Sequence, residues 1–350
     1  MTNSADLDSI HYFNSVPDII SFIKEYQASQ IIFLCDFNTR IHCFEPYFTS
    51  LGFSLIGIPD GDMHKNMENV AYICEKLLMM QADRDTLLVN LGGGMICDIG
   101  GFVASVFKRG IRFVNIPTTT LAMADAAFGG KTAVNLGQVK NAIGTFKAAE
   151  SVCICPDFIK TLPKREQKSG FAELVKMALL FDAGEWNLLS QFSKIPAPGS
   201  PELTEAIRFA LQAKKKVVMQ DLYEKDLRKS LNYGHSIGHA IEAVYNQSGE
   251  KMLHGEAVFW GMQLENLIGV RVGIMEETER QKIAAVLNVF HPLPESLQEV
   301  DAIMESLLND KKNKSGKILM TLLEKPGKFI LNAEVSPETV FEVLTNFNRL

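Results

Sequence analysis

No two cysteines in this sequence are spaced as C-x-x-C, and the six present, Cys35, Cys43, Cys74, Cys97, Cys153 and Cys155, are scattered. That favours reduced thiols in core segments over disulfides or thiolate metal ligands. Long hydrophobic runs are also missing, so no segment is expected to cross or anchor to a membrane. The first ten residues carry acidic side chains and no apolar core, so neither a signal nor a transit peptide is expected, and a cytoplasmic location is. An excess of positive charge is lacking too. Lys and Arg number 35 against 41 Asp and Glu, a formal net charge of −6. Wholesale nucleic-acid binding, which needs clustered cations to displace counterions, is therefore excluded. Any anionic ligand must be held by locally placed cations. There is no internal repeat and no low-complexity tract.

What is present is an ordinary globular composition, 47% hydrophobic and 22% charged over 350 residues, long enough to predict two domains. Short runs of Ile, Val, Leu, Phe and Cys at 30–35, 54–58, 86–91, 111–116 and 151–155 alternate with helical stretches. This predicts an α/β domain over 1–163, built on a parallel sheet whose strands are buried on both faces. After Pro163 the pattern turns to amphipathic helices, at about 166–192, 202–220, 235–247, 254–272 and 276–289, predicting an all-α C-terminal domain over 164–350. The Pro and Gly cluster at 195–201 reads as a surface loop. Segments 317–323 and 328–331 flank Pro326 and Gly327 as a small hairpin.

The run Leu87 to Leu91 feeds directly into Gly92-Gly93-Gly94-Met95-Ile96-Cys97-Asp98 and then a helical pattern. Glycines at a strand-to-helix turn let backbone N–H groups approach a pyrophosphate, and the helix N-terminus adds favourable partial charge. Cys97 occupies the position of the third glycine in G-x-G-x-x-G, so a merely tight turn stands as the alternative. Asp36 follows the first long apolar run, where a carboxylate can bind ribose hydroxyls and would repel a 2′-phosphate, favouring NAD over NADP. Equally, Asp36 and Asn38 read as ordinary helix caps.

Three of the seven histidines fall within twenty residues: His235, His239 and His254. On a helix His235 and His239 share one face, as metal ligands or an acid/base pair require, although such a pair also occurs as plain structure. H-x-x-x-H without an internal Glu is not a metalloprotease signature. Glu173 and Lys176 lie three apart in an otherwise apolar stretch. A carboxylate buried there needs a partner. Zinc held by two His and one Glu, with a position left open for substrate, would be one.

Segment 108–141 combines glycines, hydroxyls and separated cations in a chain of negative net charge. Gly129-Gly130-Lys131-Thr132 resembles the end of a phosphate-binding P-loop but lacks the leading glycine and a directly preceding strand, so ATP binding is rejected. On composition alone Lys214, Arg228, Lys311 and Lys312 are solvated surface charges.

At these residues the sequence resembles the 3-dehydroquinate synthase family of sugar phosphate cyclases. The likeness runs from about Asp36 to Leu323. It is most specific at Gly92 to Asp98, Arg109-Gly110, Pro117-Thr118-Thr119, Gly129 to Thr132, Lys140-Asn141, Leu231 to His239 and Leu253 to Glu256. The resemblance implies a nucleotide-binding α/β domain, a helical domain and an active site in the cleft between them. It implies zinc, with cobalt possible, on Glu173, His235 and His254. NAD contacts would fall on Asp36, Asn38, Asp62, Lys65, Gly93, Gly94, Met95, Asp98, Thr118, Thr119, Lys140 and the segment from Phe158 to Thr161. A phosphorylated sugar acid would meet Arg109, Asp125, Lys131, Asn141, Lys176, Lys214, Arg228, Asn232, His239 and Lys311 or Lys312, with Glu224 and His239 in acid/base roles. A homodimer is also implied.

The reaction so implied converts 3-deoxy-D-arabino-heptulosonate 7-phosphate to 3-dehydroquinate and phosphate, in the shikimate pathway to aromatic amino acids. Asp62, Ala124 and Asp226 depart from the family pattern, which has Glu, Val and Gly there. Competing readings are a polyol dehydrogenase that releases NADH, a sister cyclase acting on glucose 6-phosphate or sedoheptulose 7-phosphate, and a nucleotide-binding protein without catalysis. Lys214, Asn232 and the pair Lys311 and Lys312 favour the carboxylate-bearing heptulosonate.

Overall fold

Aliphatic runs that can be covered on both faces become the strands of a parallel sheet, and the chain's first half supplies them. The computed structural model describes residues 9–137, 139–309 and 317–349. These divide into two compact units, one running up to Pro163 and including Pro198–Leu211, the other holding Lys164–Ala197 and the chain from Gln212 onward. The sequence reading assigned all of 164–350 to the second domain. The structure instead returns Pro198–Leu211 to the first, where the Arg208 guanidinium lies 4.3 Å above the Tyr12 ring.

The first unit holds β1 (Ile10–Tyr12), β2 (Ile31–Asp36), β3 (Ser54–Ile58), β4 (Leu87–Gly92), β5 (Arg112–Pro117), β6 (Lys131–Leu136), β7 (Val139–Phe146) and β8 (Ser151–Ile154). Six of them form one sheet in the order β1-β8-β5-β4-β2-β3, every neighbouring pair parallel. Its helices are α1 (Val16–Lys24), α2 (Met67–Met79) and α3 (Gly94–Val106). In α2 the buried residues Val70, Ile73 and Leu77 repeat at helical spacing, and the Asn66 side chain accepts from Asn69 N to start the helix. The chain leaves β2 for the edge strand β3, then returns to the opposite side of β2 as β4 and continues to β5. The connections after β2 and β4 therefore diverge, and the crevice at their carboxyl ends is where such sheets bind ligands.

Two elements differ from expectation. The sequence reading took no strand from 131–146, yet β6 and β7 pair antiparallel as a hairpin. Much of β7 is exposed, so it lacks the apolar alternation that marks a strand in sequence. The expected helix over 166–192 ends at Phe181, because the Asp182 side chain accepts from Gly184 N and Glu185 N and starts a new helix.

The second unit contains α4 (Lys164–Phe181), α5 (Ala183–Leu189), the latter part of α6 (Pro201–Gln220), α7 (His235–Gln247), α8 (His254–Arg271), α9 (Glu277–Phe290), α10 (Val300–Leu308) and α11 (Pro337–Asn346), with the antiparallel hairpin β9 (Ile318–Lys325) and β10 (Lys328–Val335). Helix α8 is buried almost all round, as a central helix must be. Ile237, Ile241, Leu264, Ile268, Ile303 and Leu322 are among the core it shares with its neighbours. No helix of the described residues is long and apolar enough to cross a membrane. Five of the six cysteines are buried free thiols, and burial pushes Cys43 up to about 12 and Cys155 up to about 11.

At the end of α9 the His291 ring stacks on Trp260, and its Nε2 has no hydrogen-bond partner among the described residues. Burial, then the nearby Lys168 charge, pushes this imidazole down to about 4 from 6.5. The unfolded chain therefore binds more protons between these values, so the stability His291 contributes is present above about pH 6.5 and lost as pH falls towards 4. Melting the wild type and His291→Phe at pH 7 and pH 5 should show the variant losing about 1 kcal/mol less over that interval, roughly 2–4 °C, a figure discounted for the partial exposure of the ring. Equal pH dependence in the two proteins would remove this role.

Candidate active site

In the first unit, β2, β4 and β5 end level: Leu34 lies beside Asn90, and Gly92 beside Pro117. This brings Asp36, the Gly92 to Met95 turn and Thr118 to one end of the sheet. Gly93 precedes α3 with extended backbone, and Thr118 N donates to Gly92 O at 3.0 Å. Cys97 leaves the glycine fingerprint incomplete, but the close helix-to-strand contact usually served by that glycine occurs one turn on. A Cβ at Gly100 would lie 1.9 Å from Asn90 Oδ1, a separation no side chain tolerates.

Asp36 is buried and caps the helical stretch that follows: Thr39 N donates to its Oδ1 at 2.7 Å, and Asp36 N donates to Thr39 Oγ1 at 3.0 Å. Burial raises its carboxyl despite these bonds. Asn38 is exposed. Lys65 is 5% exposed, and its ammonium bridges Asp98 Oδ2 at 2.9 Å and Asn141 Oδ1 at 2.6 Å. Asp62 accepts from Asn135 Nδ2 and lies 3.8 Å from both Lys65 Nζ and Lys140 Nζ. Thr119 Oγ1 accepts from Ala122 N, opening the π turn Ala122–Ala126 that contains Asp125. Phe158 and Thr161 share a 3₁₀ segment, where Phe158 faces Tyr47 edge-on at 6.2 Å.

The sheet does not bring Arg109 to this end. Arg109 sits before β5, at its amino edge, so the length of a six-residue strand, about 20 Å, separates it from the glycine turn. Three of the seven non-glycine residues with positive φ among the described residues are nonetheless Arg109, Asn141 and Glu224, and unfavourable backbone of this kind gathers at functional sites. Lys131 is exposed at the start of β6.

In the second unit, Glu173 on α4 is fully buried between α7 and α8. Its Oε1 stands 3.3 Å from His235 Nε2 and 3.5 Å from His254 Nε2. Both imidazoles are oriented from behind: Nδ1 of His235 contacts Tyr233 O at 3.0 Å, and Nδ1 of His254 contacts Glu242 Oε2 at 3.1 Å. Those contacts leave the two Nε2 atoms directed at the carboxylate. The Lys176 ammonium is 2.5 Å from Glu173 Oε2 and donates to Leu231 O at 3.0 Å. These contacts on Glu173 are ion pairs off the hydrogen-bond directions, and neither oxygen has a hydrogen-bond partner among the described residues.

Burial by itself would raise the Glu173 carboxyl, but Lys176 and the two imidazoles outweigh it and hold the group well below the usual carboxylate range. Burial, then Lys176, lowers His235. His254 is lowered by burial but raised more by Glu173 and Glu242, to about 9. His239 completes a cluster in which the three histidines offer ring nitrogens within 4.8 Å of one another.

This donor set fits a metal ion. Ligand atoms about 2.0–2.2 Å from a tetrahedral centre stand about 3.3–3.6 Å apart, the spacing between Glu173 Oε1 and the two Nε2 atoms. The buried carboxylate is the second sign: Lys176 pairs with Oε2, while Oε1 faces two imidazole nitrogens without a hydrogen bond to either, which is where a bound cation would sit.

Packing explains the convergence. Gly255 N donates to Ser169 Oγ, and a Cβ at Gly255 would fall 1.8 Å from Ser169 O, so the start of α8 lies directly on α4. Glu256 accepts from Leu253 N and from both Nε and an Nη of Arg165, fixing that helix start. The buried Glu265 of α8 accepts from Gly234 N and Ile237 N at the start of α7. Lys214 and Arg228 are buried, and Asn232 Nδ2 donates to Glu224 Oε1 at 2.9 Å. Lys311 and Lys312 lie outside the described residues. The sequence reading missed Glu242, although His235, His239 and Glu242 follow i, i+4, i+7 spacing and so form one stripe on α7.

Residues 55–169 match the family model described as 3-dehydroquinate synthase N-terminal, and residues 170–313 match 3-dehydroquinate synthase C-terminal. The chain is 40% identical to the 3-dehydroquinate synthase of Campylobacter concisus (strain 13826) over 294 residues, 84% of each chain. It is 40% identical to that of Sulfurovum sp. (strain NBC37-1) over 297 residues, 84% of this chain and 83% of the other. Among solved structures, 2-deoxy-scyllo-inosose synthase complexed with carbaglucose-6-phosphate, NAD+ and Co2+ superposes with a TM-score of 0.84 at 27% identity, covering 97% of each chain. ValA (2-epi-5-epi-valiolone synthase) from Streptomyces hygroscopicus subsp. jinggangensis 5008, with NAD+ and Zn2+ bound, gives 0.86 at 26%, covering 96% of this chain and 95% of that one. With both halves of the family's model matched in order along one chain, this protein belongs to the 3-dehydroquinate synthase family.

Proposed function

We infer that this chain catalyses the 3-dehydroquinate synthase reaction, converting 3-deoxy-D-arabino-heptulosonate 7-phosphate to 3-dehydroquinate and inorganic phosphate in the shikimate pathway. The observation that carries this reading is the pair of Nε2 atoms directed at one oxygen of a buried carboxylate, at ligand-to-ligand spacing. In this reading Glu173, His235 and His254 hold zinc or cobalt. A metal held there would supply Lewis-acid polarisation of the substrate oxygens, and bound NAD would supply reversible hydride chemistry with no net redox change.

The chain's own residues bind, orient and move protons. Asp36 has one carboxylate oxygen committed to Thr39 N and offers the other to a ribose hydroxyl. The turn from Gly93 to Met95 receives the pyrophosphate at the start of α3. Lys65 ties Asp98 to Asn141 across that end of the sheet. His239 is exposed and stands 5.0 Å from the His235 ring and 5.4 Å from the His254 ring, between the ligands and solvent, where an imidazole can exchange protons. Glu224, held by Asn232, is its acidic counterpart. Lys176, Lys214 and Arg228, buried in the second unit, supply the cations that a phosphorylated sugar acid needs in a protein of net charge −6. A homodimer in the cytoplasm belongs to the same reading.

Purified protein given the heptulosonate phosphate should release inorganic phosphate without accumulating NADH, and a chelator should abolish the release. Glucose 6-phosphate and sedoheptulose 7-phosphate should yield none. Stoichiometric NADH would instead support a polyol dehydrogenase, and turnover of either sugar phosphate would support a sister cyclase.

A further inference from the structure

We propose that Glu242 is a positioning residue for the metal centre, a carboxylate that holds His254 in the tautomer and ring orientation needed to present Nε2. The proposal rests on the reading of Glu173, His235 and His254 as metal ligands. Glu242 is 7% exposed, and its Oε2 lies 3.1 Å from His254 Nδ1. His254 Nε2 is then directed at Glu173 Oε1, 3.5 Å away. Once a metal displaces the proton from Nε2, a histidine whose Nδ1–H donates to a carboxylate keeps that nitrogen as donor and offers Nε2 as the acceptor a metal requires.

The topology makes this arrangement specific. His235 and Glu242 stand seven residues apart on α7, on one face of the helix, so a single helix carries one ligand and the group that orients a ligand on α8. The two imidazoles are held differently. His235 Nδ1 meets a main-chain carbonyl, Tyr233 O, at 3.0 Å, which no side-chain substitution removes. His254 depends on a side chain. It is also the more exposed of the two, at 26% against 10% for its side chain, and so has the greater need of an anchor against solvent.

Glu242→Ala should weaken zinc binding by about 10–100-fold in a chelator competition, the usual range for removing such a partner. Glu242→Gln, which keeps an acceptor for Nδ1–H but not the charge, should fall between Ala and wild type. Cobalt-substituted protein supplies a readout that simple packing would not move: the visible d–d bands of the Ala variant should shift, because the geometry of one imidazole ligand changes. Wild-type zinc affinity and an unchanged cobalt spectrum in Glu242→Ala would overturn the proposal, as would a loss of zinc matched by a proportionate loss of folded protein in thermal melts. The underlying reading fails differently: wild-type protein, or His254→Ala at equal affinity, would then show no metal dependence at these side chains.

Discussion

His254→Ala is expected to lose bound zinc and catalysis together while the helical unit stays folded. His254 is at the first residue of α8, only partly buried, and its truncation opens no large cavity. Its removal leaves Glu173 and His235 as a two-ligand site, too few for the set of three protein ligands that catalytic zinc commonly uses. A metal polarising a reacting oxygen is worth several kcal/mol of transition-state stabilisation, so turnover should fall by roughly 10³-fold or more. Metal content after dialysis and kcat for phosphate release are the measurements. A variant that keeps one equivalent of zinc and near-normal turnover would remove His254 from the ligand set. Loss of turnover with zinc retained would instead give it another role.

Gly261→Ala should be strongly damaging although it touches no functional group. A Cβ at Gly261 would lie 1.9 Å from Gly234 O and 2.9 Å from Gly238 N, so α8 and α7 cross there with backbone against backbone. The methyl cannot be absorbed by a rotamer change, since the clashing atoms are main chain. The helices must separate by about 1 Å or more, at a cost of roughly 3 kcal/mol. For a unit of this size that is a drop of about 6–12 °C in Tm. The separation also moves His235 on α7 against His254 on α8, so the 3.3 Å and 3.5 Å distances to Glu173 cannot both survive. Zinc affinity should therefore fall along with stability. A Tm within a degree or two of wild type would show that the crossing adapts in a way this packing does not suggest.

Much of the architecture can be read locally. The reading of 54–58 as a strand and of 235–247 as a helix coincides with β3 and α7, because each element repeats its apolar residues at its own period. The β6–β7 hairpin was invisible because one of its strands is largely exposed, leaving no alternation to detect. The break at Asp182 was missed because a side-chain cap, not an apolar gap, ends the helical run. Asp36 shows how one residue can satisfy two readings: it caps a helix, as its type suggests, and it stands at the carboxyl end of β2 beside β4, where the sheet's strand order opens a crevice.

The residue order alone thus determined the alternation of strands and helices, the glycine turn, and the shared face of His235 and His239, since all of these depend on neighbours within a few positions. It also carried the motifs that place the chain in its family. Only the tertiary structure decided that Glu173, 62 and 81 residues distant from His235 and His254 in sequence, meets both at one oxygen, and that Arg109 lies beyond the amino end of β5, away from the glycine turn. Those outcomes depend on which helices can touch. Here contact is set by backbone-to-backbone approach at Gly255 and Gly261, where the absence of a side chain acts through atoms distant along the chain.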